Sequence, residues 1–200
     1  MKRIVIFGST GPTGLCCVRT ALEKGLEVRA FTRDKTKIPE DLRDKIEIVV
    51  GHVTNAKDVA KAVAGRDAVI VTLGYGTNLG PNTELSKGMQ NIIDSMKAHK
   101  VELISACLSM LLFNLETVPF RYKYLTEEHQ RMFEIIKSSG SKWVVICPPY
   151  IVDKPKSNYI IAINCSAWRA ISKYDLGEFL IKCLENPDYY QKMLGIANTS

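Results

Sequence analysis

Short apolar runs alternate with amphipathic stretches along the chain. RIVIF (3–7), EVRAF (27–31), IEIVV (46–50), DAVIVTL (67–73), VELISAC (101–107) and KWVVIC (142–147) read as strands. VELISAC is almost wholly apolar, as a strand covered on both faces should be. NYIIAIN (158–164) reads as a further strand. The intervening stretches read as helices. One runs from Gly11 to Lys24 and closes on Gly25 as a left-handed cap; another, capped by Asn55, runs through Ala64 and stops at Gly65. A long helix covers Thr83 to His99. Thr126 is the expected N-cap of a helix to Ser139 with Gly140 as terminator, and Ser172 caps a last helix through Glu185.

Strand and helix in regular alternation predict an α/β fold with a doubly wound parallel sheet, Rossmann-like, in three αβα layers. Right-handed crossovers and a central first strand give the order 3-2-1-4-5-6. A ligand is then expected beyond the carboxyl ends of the strands, where the winding reverses. Two hundred residues suit a single Rossmann-like domain spanning 1–200.

Composition narrows the class. The chain is 46% hydrophobic and 24% charged, which is globular. No apolar run is long enough to span a bilayer, and no leader pattern precedes Gly8, so a cytoplasmic protein away from membranes is expected. The net charge is +6, with Lys and Arg spread along the chain and no nucleic-acid-binding signature. Six cysteines without a CxxC, and three separated histidines, give no metal-ligand spacing, so no metal is expected.

The densest chemical signal is GSTGPTG, residues 8–14, directly after the first strand. Gly8 lets the chain turn sharply, Gly11 keeps side-chain bulk away from a ligand, and Gly14 lets the helix pack closely on the sheet. The first helical turn offers unpaired N–H groups and partial positive charge to a pyrophosphate. Ser9, Thr10 and Thr13 add hydroxyls, and Pro12 at the helix start loses no hydrogen bond. The spacing GxxGxxG resembles the extended and atypical branches of the short-chain dehydrogenase/reductase superfamily. An NAD site wants an acid at the end of the second strand; here that strand ends FTRDKTK. Arg33, with Lys35 and Lys37 after it, suits a 2′-phosphate, while Asp34 is one residue late. NADP(H) is therefore the expected cofactor.

GSTGPTG, FTRD, DAVIVTLG, SKGMQNIIDSMKAHKV, ACLSMLLF, TEEHQRM, CPPYIVDKP and ISKYDLGEFLIKCL, in this order over nearly the whole chain, resemble the NADPH-dependent flavin reductase, or biliverdin-IXβ reductase, family. The resemblance implies a monomeric fold and hydride transfer from NADPH to flavins or linear tetrapyrroles such as biliverdin IXβ. Carried over by position, Thr10, Gly11, Pro12 and Thr13 form the pyrophosphate loop, and Arg33 and Lys37 the 2′-phosphate pair. Val53 lies against adenine, with His52 beside it where the family has Asp. Leu73 and Gly74 sit by the ribose. Cys107, Leu108 and Ser109 line the nicotinamide ribose. Pro148, Pro149, Tyr150 and Ile151 flank the carboxamide, Tyr150 standing where the family has His. Ser109 is placed beside the hydride, and Arg121 and His129 near the acceptor.

Hydride transfer needs alignment in a dry pocket more than protein chemistry. YIVDK (150–154) spells the Tyr-xxx-Lys pair of short-chain dehydrogenases, but Pro148, Pro149 and Pro155 around it argue against a helix. Tyr150 can still donate a proton, since an ordinary phenol is protonated at neutral pH. Ser109 either bonds backbone or orients the ring. His129 reads as a partly exposed helix residue. Phe113, Tyr122, Tyr124 and Trp168, with Arg121, suit a flat anionic acceptor. The rival reading is an NADP-binding redox sensor, NmrA-like, that transfers no hydride.

Overall fold

The computed structural model describes residues 1–74, 76 and 80–199. Its strands are β1 (Arg3–Phe7), β2 (Glu27–Thr32), β3 (Glu47–Val50), β4 (Ala68–Val71), β5 (Leu103–Cys107), β6 (Lys142–Ile146), β7 (Tyr150–Val152), β8 (Tyr159–Ile163), β9 (Ala170–Ser172) and β10 (Lys192–Asn198). Its α-helices are α1 (Pro12–Glu23), α2 (Glu40–Arg43), α3 (Ala56–Val63), α4 (Glu84–Ala98), α5 (Lys123–Lys137) and α6 (Lys173–Lys182).

The main sheet has the order β3-β2-β1-β4-β5-β6-β10-β8. The expected doubly wound core is present, with Ile4 paired to Val28 on one side and Ala68 on the other. Two strands extend it: β10 joins β6 in parallel, and β8 runs antiparallel along β10 at the edge. The local pattern predicts no strand at 192–198. That segment contains Gly195 and a single β-branched residue, Ile196, so its local signal is weak, and β6 and β8 supply the pairing that fixes it. A separate pair, β7 with β9, forms beyond the sheet.

Apolar side chains cover both faces. Val5, Val69, Met89, Ile92 and Met132 fill one, and Ile4, Cys17, Val18, Leu176 and Leu180 the other. Gly177 makes the second layer close: a Cβ there would lie 2.6 Å from that of Cys16, so α6 and α1 nearly touch backbones.

Two helix starts differ in kind. Asn55 and Ser172 cap α3 and α6 as expected, accepting from Lys57 N and Tyr174 N. Thr126 does not cap α5. The helix begins three residues earlier at Lys123, following a 3₁₀ turn at Phe120–Tyr122. The buried stripe of α5 runs Thr126, His129, Met132, Ile136, so Thr126 belongs to its inner face.

Candidate functional site

The chain leaves β1 through Gly8 at φ +84°. A Cβ at Gly8 would stand 2.5 Å from the Thr72 carbonyl oxygen, and one at Gly14 would strike the Gly8 carbonyl. Thr72 locks this corner: its amide donates to the Phe7 carbonyl at 2.9 Å, and its hydroxyl lies 3.2 Å from the Phe7 and Gly8 carbonyls. Gly8 and Gly14 are thus required by packing. Gly11 is different, because a Cβ there would meet only the Gly8 carbonyl, at 3.4 Å. The bulk it omits is kept from the outer surface of the loop.

That surface fits an anion. Gly11 is the N-cap of α1 and makes no side-chain cap; Pro12 follows, and the first turn has no acid. The amides of Thr13 and Gly14 are left for an external acceptor at the positive end of the helix. Thr10 and Thr13 are partly accessible beside them. Ser9 corrects the sequence reading: it is fully buried, and its hydroxyl donates to the Phe31 carbonyl at 2.9 Å, so it ties β1 to β2 and is withdrawn from the loop surface.

At the neighbouring edge, Arg33 directly follows β2 with its side chain 71% exposed, and Lys37 is also exposed. Asp34 turns away, its carboxylate accepting from the Thr36 amide at 2.9 Å and hydroxyl at 2.6 Å, which holds it below the usual carboxylate range. Glu84, in the first turn of α4, lies 3.8 Å from the Arg33 guanidinium and 3.3 Å from His52 Nε2. His52 Nδ1 contacts the Thr54 hydroxyl at 2.7 Å. Arg33, His52 and Glu84 therefore converge from three separate elements. Glu84 escaped the sequence reading, and nothing in its spacing from Arg33 marks it. Val53 is buried, with its methyls where a Cβ of Gly88 would fall, so its side chain is committed to α4.

The reacting end is built after β4, β5 and β6. Leu73 and Gly74 follow β4, and a Cβ at Gly74 would meet nothing within 4 Å among the described residues. The Leu108 amide donates to the Ile146 carbonyl at 2.9 Å and the Met110 amide to that of Pro148 at 3.2 Å. These two bonds hold the Ser109 loop against the Pro148–Pro149 turn. Ser109 accepts from the Leu111 amide at 3.2 Å, which leaves its own O–H to donate. Tyr150 is 70% exposed and, with exposed Ile151, lies on β7, so YIVDK is extended and forms no helical dyad.

Cys107 sits at the end of β5, but burial pushes its thiol up to about 12, so it is no nucleophile. Phe113 is half-buried and packs on the core, while Arg121 is exposed with its guanidinium 4.6 Å from the Tyr122 ring centroid. His129 differs from its expected partial exposure. It is buried, Nδ1 has no partner among the described residues, and burial lowers its pKa to about 4 despite the adjacent Glu128 carboxylate. Neutral at physiological pH, it cannot serve as the proton donor. The Thr126 hydroxyl, one turn earlier, is equally buried and unpartnered. A groove of about 530 Å³ between α4 and α5, with Gln90, Glu127 and Glu134 in its wall, includes none of these site residues.

A parallel sheet wound both ways, with an open amide cradle at its reversal point, defines a nucleotide-cofactor-binding domain of the Rossmann class. Residues 8–187 match the profile of an NAD(P)H-binding family, and the chain belongs to that family. Among curated relatives, a 3-beta-hydroxysteroid dehydrogenase of Mycolicibacterium neoaurum is 43% identical over 72 residues, 36% of this chain and 19% of its own length. An uncharacterized chloroplastic protein of Arabidopsis thaliana is 25% identical over 182 residues, covering 80% of this chain and 63% of its own. The chain thus spans less than two thirds of either relative. Solved structures share the fold at low identity. An anaerobillin reductase from Escherichia coli O157:H7 superposes with TM-score 0.85 at 14% identity, covering 100% of this chain and 98% of its own. A short-chain dehydrogenase/reductase of Veillonella parvula, solved with NADP, gives 0.81 at 14%, covering 100% and 95%. No helix among the described residues is long and apolar enough to cross a membrane.

Proposed function

We propose that this chain is an NADPH-dependent reductase that passes hydride to a planar conjugated acceptor, a flavin or a linear tetrapyrrole. The observation that carries the reading is the stitching of the Ser109 loop to the Pro148 turn, beyond the carboxyl ends of β5 and β6 and so at the same end of the parallel sheet as the amide cradle after β1. Thr10, Gly11, Pro12 and Thr13 hold the pyrophosphate, and Arg33 with Lys37 the 2′-phosphate. His52 and Val53 border the adenine, Val53 through its backbone edge. A reduced nicotinamide bound there supplies hydride from its C4. Leu73, Gly74, Cys107 and Leu108 wall the ribose, while Pro148, Pro149 and Ile151 exclude water from one face of the ring. The Ser109 hydroxyl donates to the ring carboxamide or the acceptor. Tyr150, at the open rim, supplies the proton that accompanies reduction, or water does. Phe113, Arg121 and neutral His129 shape the acceptor side. The anaerobillin reductase that shares this fold acts on a tetrapyrrole-type acceptor by its name, which is consistent with the reading.

The test is direct. NADPH absorbance is followed with FMN and then with biliverdin IXβ. Protein-dependent oxidation with either supports the reductase. NADPH binding without oxidation by any flavin or tetrapyrrole supports the sensor instead.

A further inference from the structure

The turn joining β8 to β9 contains the one non-glycine aromatic residue in a left-handed conformation among the described residues. Trp168 has φ +57° and is 71% exposed. The other tryptophan behaves as a large apolar residue should: Trp143 is 6% exposed and packs edge-on against Phe133 at 5.7 Å. Left-handed backbone is costly for a bulky side chain and persists only where the surroundings impose it.

Here they do. The Asn164 amide donates to the Met193 carbonyl at 2.7 Å, and its side-chain oxygen accepts from the Met193 amide at 3.2 Å. The Trp168 amide donates to the Ser166 hydroxyl oxygen at 3.2 Å, and the Arg169 guanidinium to the Thr199 carbonyl at 3.0 Å. Gly195 on β10 provides the seat: a Cβ there would strike the Cys165 carbonyl and lie 2.8 Å from the Ala167 amide. The turn is pinned flat on the sheet edge, yet its largest side chain is left in solvent with no ring partner among the described residues.

Its position gives the exposure a use. β9 begins two residues later at Ala170, which pairs with Tyr150 of β7. Trp168 thus lies two residues before the point where β9 meets the start of β7, where Tyr150 and Ile151 are also exposed. We propose that Trp168 is a stacking platform for the planar acceptor at the outer rim of the proposed site, a specificity-determining contact that selects flat, conjugated molecules. The inference rests on the reductase reading above. Indole is the best of the side chains for such stacking, and a pinned backbone spends little entropy in presenting it.

Binding and turnover separate the two. FMN affinity of the NADP⁺-loaded protein is read from quenching of flavin fluorescence, in wild type, Trp168→Phe and Trp168→Gly. Trp168→Gly removes the ring and relaxes the left-handed backbone, so its melting temperature is expected to equal or exceed wild type. FMN affinity is expected to fall about tenfold in Trp168→Gly and by no more than about threefold in Trp168→Phe, with NADP⁺ affinity unchanged. A folded Trp168→Gly that binds FMN as wild type does, or a wild type that binds none, overturns the platform. Tight FMN binding that depends on Trp168 but supports no NADPH oxidation overturns the reductase reading and leaves the platform standing.

Discussion

The two ends of the proposed site are made from different materials. At the proposed cofactor end, main chain does the work: Gly8 and Gly14 bring β1, β4 and α1 into contact, and Gly11 puts no side chain over the first turn of α1. At the proposed acceptor end, side chains do it. Ser109, Phe113, Arg121, Tyr150 and Trp168 stand on 3₁₀ turns, a two-stranded ladder and a left-handed turn. Backbone tolerates little change without loss of the fold, so the first end is restrictive. Side chains on pinned turns can be exchanged singly, so the second is free to set acceptor choice.

The sharpest way to break this contrast is Gly14→Val. Its Cβ has the Gly8 carbonyl in its way, so the cost is about 3 kcal/mol or more, read by denaturant unfolding. A stable Gly14→Val would show that the corner is not packed as described. Next is Arg33→Glu, expected to weaken NADPH about a hundredfold, or about 3 kcal/mol, and to leave NADH nearly unchanged. Equal losses for both cofactors would remove Arg33 from the 2′-phosphate.

His129 brings the acceptor side into the comparison through pH. Its folded pKa, about 4, lies below the ordinary value of about 6.5. Stability is full above 6.5 and is lost as pH falls toward 4, because the unfolded chain takes the proton first. The loss is on the order of 3 kcal/mol. In His129→Leu the slope between those pH values should flatten in thermal melts; an unchanged slope would place the ring in solvent. The smallest effect is Glu84→Gln. Freeing Arg33 and His52 from the carboxylate should tighten NADPH a fewfold, under about 1 kcal/mol, by isothermal titration. Weaker binding would make Glu84 a support for the cofactor and not its competitor.

The same contrast governs what could be read from the chain. Glycine spacing after a strand maps directly onto backbone geometry, so the cradle, the order of the first six strands and the place of Arg33 were legible. β10 was not, since its segment carries Gly195 and one β-branched residue and gains its identity from β6 and β8 on either side. Thr126 carries a capping residue's side chain, but α5 begins three residues upstream of it and Thr126 is the first residue of its buried stripe, so tertiary burial outweighed local preference. The convergence of Arg33, His52 and Glu84 is a meeting of distant segments, invisible to spacing. Ser9 matched the loop in type but was taken by the Phe31 carbonyl across the strand gap.

The central claim is that uncovered amides at the start of α1 hold the cofactor's pyrophosphate, and Gly11→Val tests it most directly. The added Cβ meets only the Gly8 carbonyl, at 3.4 Å, so the branched side chain is expected to be held within the fold while occupying the outer surface of the loop, where the pyrophosphate is proposed to sit. Calorimetric titration with NADP⁺ should show at least a thirtyfold loss of affinity, about 2 kcal/mol, at a melting temperature within a few degrees of wild type. A folded Gly11→Val that binds NADP⁺ as wild type does would contradict the account.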